Sequence, residues 1–487
     1  MNRVFTLLLC LLLAASFVAC AAPTPDDEKA PTTTPSDDVE NDDEQAEDVR
    51  IDPDLPDSNY NGATFNVIHW AVNEDVGGVW TPWEEISVES MTGDHLENEI
   101  YQRNATVEEA YGVVITNVYF HTDSELPNKI RNAVNTGDND FQMMVQRSNT
   151  LSGMLLANLF YDLGSSDLPY IDLSKPWWNA SSVENFTFGG KTQFASSEIL
   201  LLDKGATACV YFNTKVASDN SISDLYDLVR EQEWTWEVLA EYAEDAMREL
   251  DGDDQWGDGD LYGALGSIDV IAYLYAGSGH SIGHIKNERY FVHEFAQEEN
   301  IAVMSDVYDD MYHVDYRYAE NSTTKFKADE GLFMYGMVKT SASLRDMETN
   351  YGILPIPKYD EEQANYSSLV WQHYDSVIGV PTSCGDSIMV SVIIEALSAE
   401  SYYTVYPMFH DTVLLGKSTR DQESKEMLQI VFDTRKYDIG MIYDPTTFAW
   451  KLWTEVTSNT LSSHCASFAK SLEEKTNEFN DMVDSWD

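Results

Sequence analysis

The chain has 487 residues, 43% of them hydrophobic and 12% aromatic, which is enough apolar surface for two domains with large buried cores. Its 84 acidic residues outweigh 29 basic ones and give a formal net charge of −55. A field of that sign repels phosphate backbones and anionic membrane surfaces, so the composition excludes nucleic acid as a partner and leaves cations and neutral solutes.

The N-terminus has the pattern of a processing signal. A basic start, MNR, precedes the apolar run VFTLLLCLLLAASFVA, which is short for a membrane span. The run ends in Phe17-Val18-Ala19-Cys20, which resembles the bacterial lipobox. The resemblance implies a lipoprotein signal peptide over 1–19, lipidation of Cys20, and a mature protein held by its lipid at the extracellular face of the cell membrane. Ordinary signal cleavage at a nearby alanine, followed by secretion, is the alternative.

A polar segment separates this signal from the folded part. After Cys20, residues 21–59 are mostly Pro, Thr, Asp and Glu, and they cannot bury enough apolar surface to offset the entropy of ordering. We therefore expect a disordered acidic linker over 20–59. The remaining cysteines, Cys209, Cys384 and Cys465, are too widely spaced for a disulfide framework or a zinc motif, so we expect small buried hydrophobes.

The first part of the body alternates between strand and helix patterns. ATFNVIHW alternates like a strand, NEIYQRNATVEEAY (98–111) has helical periodicity ended by Gly112, and GVVITNVYF is a second strand. LPNKIRNAVNTG is a short helix, and NDFQMMVQ is a third strand. This alternation predicts an α/β fold with a parallel sheet.

The second part is richer in helix. Thr235 is a suitable N-cap for a helix that we expect to run from Trp236 to Leu250. KFKADEGLFMYGMV (325–338) predicts a helix and then a strand, and YGILPIPK (351–358) predicts a strand. From Ile388 a long apolar helix is followed by another, and residues 448–486 are mainly helical.

Several pieces in fixed order resemble the extracellular solute-binding proteins of ABC importers, chiefly the carbohydrate-type family 1. The pieces, over roughly 60–487, are the lipobox and acidic linker, NDFQMMV, LPYIDLSKPWWN, GGKTQFA with ACVYFNTKV, EWTWEVLAEYAEDA, an acidic stretch ending DLYG, FKADEGLFMYG, YGILPIPKYDEEQANY, IIEALSAES, and KSTRDQESKEMLQIVFDTRKYDIG. Each piece alone is a short strand or helix edge, and their ordered combination carries the resemblance.

The resemblance implies a periplasmic-binding-protein type II fold, with two α/β lobes, a ligand cleft between them and a hinge. Lobe 1 is expected over 60–200 plus 380–433, and lobe 2 over 205–368 plus 438–487. The crossovers between the lobes are expected near 196–208, 369–380 and 435–442. Hinge closure around the ligand is the motion that such a fold implies.

The first binding candidates are Trp177 and Trp178, adjacent in a loop beside a proline. A sugar ring offers an apolar face to an indole and a rim of hydroxyls to polar side chains. Neighbouring side chains diverge, so we expect one of the two, with Trp178 favoured, to stack on a sugar while the other packs into lobe 1. Packing of both in the core is the alternative.

The second group lies near the predicted crossovers and strand ends. Trp371 and Asp375 combine a flat aromatic with a carboxylate at a crossover, where His373 is expected to have a structural role. The family pattern places Tyr335 on a strand that borders the cleft. Trp70 follows the first strand, and the carboxyl ends of parallel strands open to a cleft.

The stretch ELDGDDQWGDGDLYG resembles a calcium loop with departures. In an EF-hand register, Glu249, Asp251, Asp253, Gln255 and Asp260 fall on the positions 1, 3, 5, 7 and 12. Position 6 is an aspartate where the motif has glycine, and position 12 is the shorter Asp. A weak calcium site and a solvated acidic turn without an ion are both open.

The sequence has no GxSxG, HExxH, P-loop or GxGxxG context, so no enzyme is expected. The predicted function is capture of an extracellular solute, a mono- or oligosaccharide, and its delivery to ABC permease subunits, with no cofactor required. A glycan-adhesion lipoprotein without a transporter, and a peptide- or polyamine-binding protein, are the alternatives. Neighbouring permease genes and a glycan binding panel distinguish the three.

Overall fold

A computed structural model describes residues 50–70, 83–120, 125–250, 252, 256–257, 259–413 and 422–486. The chain divides after Arg50, and Ile51–Asp487 form one compact unit. The predictions for the signal peptide, for Cys20 and for most of the linker concern residues outside the described ranges.

Fifteen strands are defined in the described part of the chain. They are β1 (Ala63–Trp70), β2 (Val113–Phe120), β3 (Met143–Gln146), β4 (Thr187–Phe188), β5 (Lys191–Thr192), β6 (Ala208–Asn213), β7 (Tyr262–Leu265), β8 (Gly283–Lys286), β9 (Tyr290–His293), β10 (Arg317–Tyr318), β11 (Gly331–Met337), β12 (Tyr351–Leu354), β13 (Ser368–Leu369), β14 (Val377–Gly379) and β15 (Arg435–Lys436).

Helices surround these strands. The α-helices in the described ranges are α1 (His95–Tyr111), α2 (Glu125–Thr136), α3 (Ala180–Phe186), α4 (Leu202–Gly205), α5 (Thr214–Asp219), α6 (Leu225–Arg230), α7 (Trp236–Ala246), α8 (Val270–Gly277), α9 (Glu298–Asp306), α10 (Ser322–Lys327), α11 (Ser341–Leu344), α12 (Ser387–Tyr403), α13 (Val405–Val413), α14 (Gln422–Asp433), α15 (Ile439–Ile442), α16 (Phe448–Glu455) and α17 (Ser458–Asp484). Short 3₁₀ turns cover Ser148–Gly153 and Val338–Thr340, and a π-helical turn covers Val307–Tyr312.

The first sheet has the strand order β14-β3-β1-β2. β1 runs parallel to both β2 and β3, with Trp70 opposite Phe120 at the carboxyl end, and β14 is antiparallel to β3. Strand β3 is buried along its whole length, as expected for an inner strand covered on both faces. The predicted parallel α/β arrangement is confirmed here.

The second sheet has the order β10-β7-β11-β6-β12. β7, β10 and β11 are parallel, while β6 is antiparallel to both β11 and β12. One buried apolar cluster is built around β1 and α12 and another around β6 and α8. A third cluster packs α1, α13 and α14 against residues of the second sheet. The molecule therefore has two sheet-centred layers, and helices of the third cluster pack on the second.

Most predicted elements are found where the sequence placed them. The first strand and the helix ended by Gly112, whose φ is 60°, are confirmed, and Thr235 caps α7 by accepting the N–H of Val238. The predicted extension of this helix to Leu250 is wrong. α7 ends at Ala246, because Arg248 instead pairs in a β-bridge with Leu261 and closes the base of the acidic stretch.

Three segments connect the two sheets and lie side by side. The first, 196–207, leads to β6, and its Thr207 forms a bridge with Val370 of the second. The second is paired to the third where Leu369 faces Lys436. The lobe boundaries given above remain a proposal. Helix α14, which that proposal assigns to lobe 1, contacts β12 and α6.

Two further expectations concern the core and the membrane. Cys209, Cys384 and Cys465 are free and buried, as predicted. Within the described ranges, no single helix combines the length and apolarity of a membrane span. Only α12 and α13, which are bent by 45° relative to each other, reach that length and apolarity when they are taken together.

Candidate functional site

The carboxyl edge of the first sheet gathers an aromatic ring and a cation. Trp70 ends β1, and the guanidinium of Arg147, just after β3, lies 4.7 Å from the centre of the indole. Arg147 also donates from Nη1 to the carbonyl of His373. Since β1 and β3 are parallel neighbours, their carboxyl ends place these groups at one edge.

The carboxyl edge of the second sheet encloses a cavity of about 320 Å³. Its walls come from the turns after β7 and β10 and from the end of β11, and they are rich in hydroxyl groups. They include Ser267, Asp269, Tyr273, Asn321, Ser322 and Tyr335. A cavity of this size at the ends of parallel strands is typical of a small-molecule site.

Two polar atoms of this cavity are buried without a hydrogen-bond partner among the described residues, the hydroxyls of Tyr335 and Ser322. Burial raises the pKa of Tyr335 well above its usual value, so its hydroxyl keeps its proton. Gly266 follows β7 beside this ring, and a Cβ there would meet Val270 Cγ2 at 2.4 Å and the Tyr335 ring at 3.2 Å, so glycine allows the close packing of this wall. An unpartnered buried hydroxyl is costly unless a ligand or water completes it.

One side-chain pair joins the end of the second sheet to the second connecting segment. The Lys339 ammonium, two residues beyond β11, lies 3.3 Å from the ring centre of Tyr374 in that segment. Burial lowers the pKa of Lys339 to about 7, while the nearby Asp269 carboxylate opposes that shift. Burial raises the pKa of Asp269, and the Ser267 hydroxyl and Lys339 oppose the rise. Lys339 therefore lies between the connecting segment and Asp269, a wall residue of the cavity.

Trp450 is a residue that the sequence reasoning missed. It lies on α16 with 49% of its surface exposed, and its ring contacts that of His373 with 5.5 Å between centroids. Helical periodicity could have found it, because Phe448, Leu452 and Trp453 are buried and Trp450 lies off their stripe. An exposed indole beside a connecting segment can stack on a sugar ring.

The structure places Trp177 and Trp178 inside the first layer. Both indoles are buried, and their N–H groups donate to the two oxygens of Glu395 on α12, at 2.8 and 3.0 Å. Burial raises the pKa of Glu395 to about 7, against the effect of these two donors. A contact of either tryptophan with a sugar stays a prediction.

Trp371 and Asp375 are also buried. Trp371 packs edge-on against Tyr273, a wall residue of the cavity, at 5.9 Å. Asp375 accepts the backbone N–H and the hydroxyl of Ser148, and burial raises its pKa to about 8. The arrangement brings Trp70, Tyr335, Trp371 and Asp375 to the ends and connections of the two sheets, while Trp177 and Trp178 lie elsewhere.

Of the calcium candidates, Asp251, Asp253 and Gln255 lie outside the described residues. Glu249 accepts the N–H of Gly252, and the buried Asp260 accepts those of Leu250 and Gly257. Among the described residues, no group of three or more His, Cys, Asp or Glu side chains is placed to hold a metal ion. Calcium binding stays a prediction, to be tested by calorimetric titration.

The connecting segments carry a buried ionic network. Lys204 lies 2.8 Å from Glu198 and 3.4 Å from Asp203, and Arg435 of the third segment lies 2.6 Å from Asp203. All four side chains are nearly inaccessible, and their charges cancel. Removing one member would leave a buried charge uncompensated, so the network holds the first and third segments together.

Two facing sheet edges, three adjacent connections and a polar aromatic space define a two-lobed α/β binding-protein fold with an interlobe cleft and a hinge. The comparisons agree. An ABC substrate-binding protein from Listeria monocytogenes in complex with cycloalternan is similar with a TM-score of 0.53 and 10% identity, over 85% of this chain and 99% of that one. A cyclo/maltodextrin-binding protein complexed with maltotetraose gives 0.51 and 12%, over 87% and 97%.

A third solved structure is the ABC transporter associated binding protein from B. animalis subsp. lactis in complex with β-1,6-galactobiose. It is similar with a TM-score of 0.51 and 13% identity, over 86% of this chain and 99% of that one. No family model matches the sequence, and none of the curated proteins compared with it matches either. At these identities the likeness shows the fold, and at that level the resemblance to ABC solute-binding proteins is confirmed.

Proposed function

We propose that this chain captures an extracellular carbohydrate in the cleft between its lobes and presents it to the permease of an ABC importer. The observation that carries the proposal is the cavity at the carboxyl edge of the second sheet, whose walls combine hydroxyl groups with the ring of Tyr273, against which Trp371 packs. Hydroxyl donors and acceptors beside flat rings match the two kinds of surface that a sugar offers.

The ligand is an oligosaccharide long enough to reach from the cavity to Trp450. Trp70, Tyr335, Trp371 and Asp375 are the predicted contacts that adjoin this space, and Trp450 joins them. Solved structures with this fold hold cycloalternan, maltotetraose and β-1,6-galactobiose, which supports a glycan as the ligand class. The reaction on this chain is binding, without bond cleavage.

The test is a thermal-shift screen with those three glycans, a wider glycan panel, peptides and polyamines. A ligand that binds only the folded state raises its melting temperature. We expect a carbohydrate to do so, and the Trp450→Ala variant to lose the shift. If peptides or polyamines raise the melting temperature and no carbohydrate does, the ligand class is wrong. Release of shorter sugars on prolonged incubation would show an enzyme instead.

The location belongs to the same proposal. The chain is lipidated on Cys20 and held outside the membrane by the acidic linker 20–59, where a permease can receive the solute. The lipobox pattern and the composition of the linker support this. Mass spectrometry of the mature N-terminus tests it, and an unmodified terminus would end the anchor proposal while leaving solute capture intact.

A further inference from the structure

Glu85 is a fully buried carboxylate, and each of its two oxygens has hydrogen-bond partners of its own. Its Oε1 accepts the hydroxyl of Ser376 at 2.8 Å and lies 2.9 Å from Nε2 of His69. Its Oε2 accepts the backbone N–H groups of Leu201 and Leu202 at 2.9 and 3.0 Å. Both oxygens are therefore saturated, which is what allows a carboxylate to remain buried.

The partners of Glu85 come from functionally different parts of the fold. Leu201 and Leu202 belong to the first connecting segment, and Ser376 belongs to the second. Ser376 also accepts the indole N–H of Trp70 at 3.3 Å. A continuous chain of hydrogen bonds thus runs from Trp70 at the carboxyl end of β1, through Ser376 and Glu85, to the backbone of the first connection.

The backbone of that connection has several other buried anchors. The buried Arg103 donates to the carbonyls of Ile86 and Ile199, and Lys204 donates to the carbonyl of Leu200. Arg103 ties the connection to Ile86, and the Lys204 bond lies within the connection itself. Glu85 differs from them because its hydrogen bonds also reach the second connection and, through Ser376, the indole of Trp70.

We propose that Glu85 is the positioning residue that couples ligand contact at Trp70 to the bending of the hinge, an inference that rests on the proposed function. A hinge closes through backbone rotations in a few connecting residues. When a ligand fixes the Trp70 indole, it fixes Ser376 and Glu85, and these hold the Leu201 and Leu202 amides in one arrangement. Without Glu85, this route from Trp70 to the first connection is broken.

The first experiment needs no ligand. The Glu85→Gln variant removes the charge of the carboxylate, so the bonds from the Leu201 and Leu202 amides become weaker neutral hydrogen bonds even where the amide oxygen keeps both. We expect hydrogen exchange of these two amides to quicken by about tenfold or more. The control is Asp260→Asn, since Asp260 is equally buried and also accepts two backbone N–H groups, but in the other lobe.

The second experiment measures closure. Spin labels on non-canonical amino acids replace Asn132 on α2 and Glu237 on α7, which are both exposed, and the distance between them is recorded with and without maltotetraose, β-1,6-galactobiose or cycloalternan. We expect Glu85→Gln to broaden the distance distribution of the ligand-free protein and to weaken the narrowing by the sugar that binds, while Asp260→Asn does neither.

The outcomes separate this inference from the proposed function. Unchanged amide exchange and distances in Glu85→Gln, or equal changes in Asp260→Asn, would overturn the coupling role. If Glu85→Gln fails to fold, Ser376→Ala removes one bond of the chain, and it must show the same broadening in weaker form. If no sugar of the panel binds but Glu85→Gln still changes the distance between the spin labels in the ligand-free protein, the ligand class is rejected. Glu85 is then kept as a residue that anchors the hinge.

Discussion

The tryptophans of this molecule show how differently the same side chain is used. Trp70, Trp177 and Trp178 are buried, and their indole N–H groups donate to Ser376 or to Glu395. Trp450 is half exposed on α16, where its ring contacts that of His373. The three buried indoles stabilise the structure around them in this conformation, whereas the ring of Trp450 is accessible to a ligand. Burial, more than residue type, separates these two uses.

Alanine variants of the tryptophans test this contrast, and the largest expected effect is on the free energy of unfolding. Trp177→Ala removes a fully buried indole and leaves half of the Glu395 carboxylate without its donor, so we expect a loss of about 3–5 kcal/mol in the free energy of unfolding. Trp450→Ala removes an exposed ring and should cost less than about 1 kcal/mol. Urea unfolding of both variants measures the difference. Equal losses of unfolding free energy in the two variants would show that exposure does not distinguish Trp450 from the buried tryptophans.

A second prediction concerns pH. The folded pKa of Glu395 is about 7, above its ordinary 4.5, so the folded state binds the extra proton. Its contribution to stability is complete below pH 4.5 and is lost as the pH rises to 7, at up to about 1.4 kcal/mol per pH unit. In the Glu395→Gln variant, the free energy of unfolding should therefore fall less steeply between pH 4.5 and 7 than in the native chain.

Asp375 gives the matched comparison for that measurement. Its pKa is raised to about 8 by burial, so its share of the slope extends to higher pH. We expect Asp375→Asn to flatten the dependence above pH 7, where Glu395→Gln has no further effect. If neither variant changes the slope, both carboxylates are ionised throughout the range.

The third prediction concerns binding. Trp450→Ala should weaken the affinity for the glycan found in the screen by about 10- to 100-fold, because a stacked indole contributes about 1–3 kcal/mol of contact. Isothermal titration calorimetry measures it, and Trp450→Phe should recover part of the loss. An unchanged affinity in Trp450→Ala would place the ligand away from α16.

The smallest effect is expected at Tyr335, whose hydroxyl has no partner among the described residues. Tyr335→Phe should leave the melting temperature equal or slightly higher, and weaken glycan binding by about three- to tenfold. Tyr211→Phe is the control, since the Tyr211 hydroxyl donates to the carbonyls of Met337 and Val338 in the same sheet. That variant should lose about 1 kcal/mol of stability. Stronger binding by Tyr335→Phe would contradict a ligand role for the hydroxyl.

Local patterns predicted much of the fold because they depend on residues that are close in the chain. The alternation in ATFNVIHW gives β1, and Thr235 caps α7 through the N–H three residues later. The end of α7 escaped prediction because it is set by the pairing of Arg248 with Leu261, thirteen residues away, which competes with helix propagation.

The candidate site was only partly predictable for the same reason. Tyr335 on β11 lines the cavity at the end of its sheet and Trp70 ends β1, while a contact of either ring with a ligand stays a prediction. The hydrogen bonding of the buried Trp177 and Trp178 indoles depends on Glu395, which lies more than 200 residues later in an apolar helix. A carboxylate on a helix gives no sign in the sequence that two distant indoles will use it.

The sequence by itself determined the α/β class, the order of most helices and strands, and the composition that excludes nucleic acid, since these follow from periodicity, capping and charge. Only the tertiary structure decided which tryptophans are buried and that Trp450 is exposed, that Lys339 meets Tyr374 of the second connection, and that Glu85 joins two connections. Those facts depend on pairs far apart in the chain, whose contact energies exist only after the two sheets are assembled.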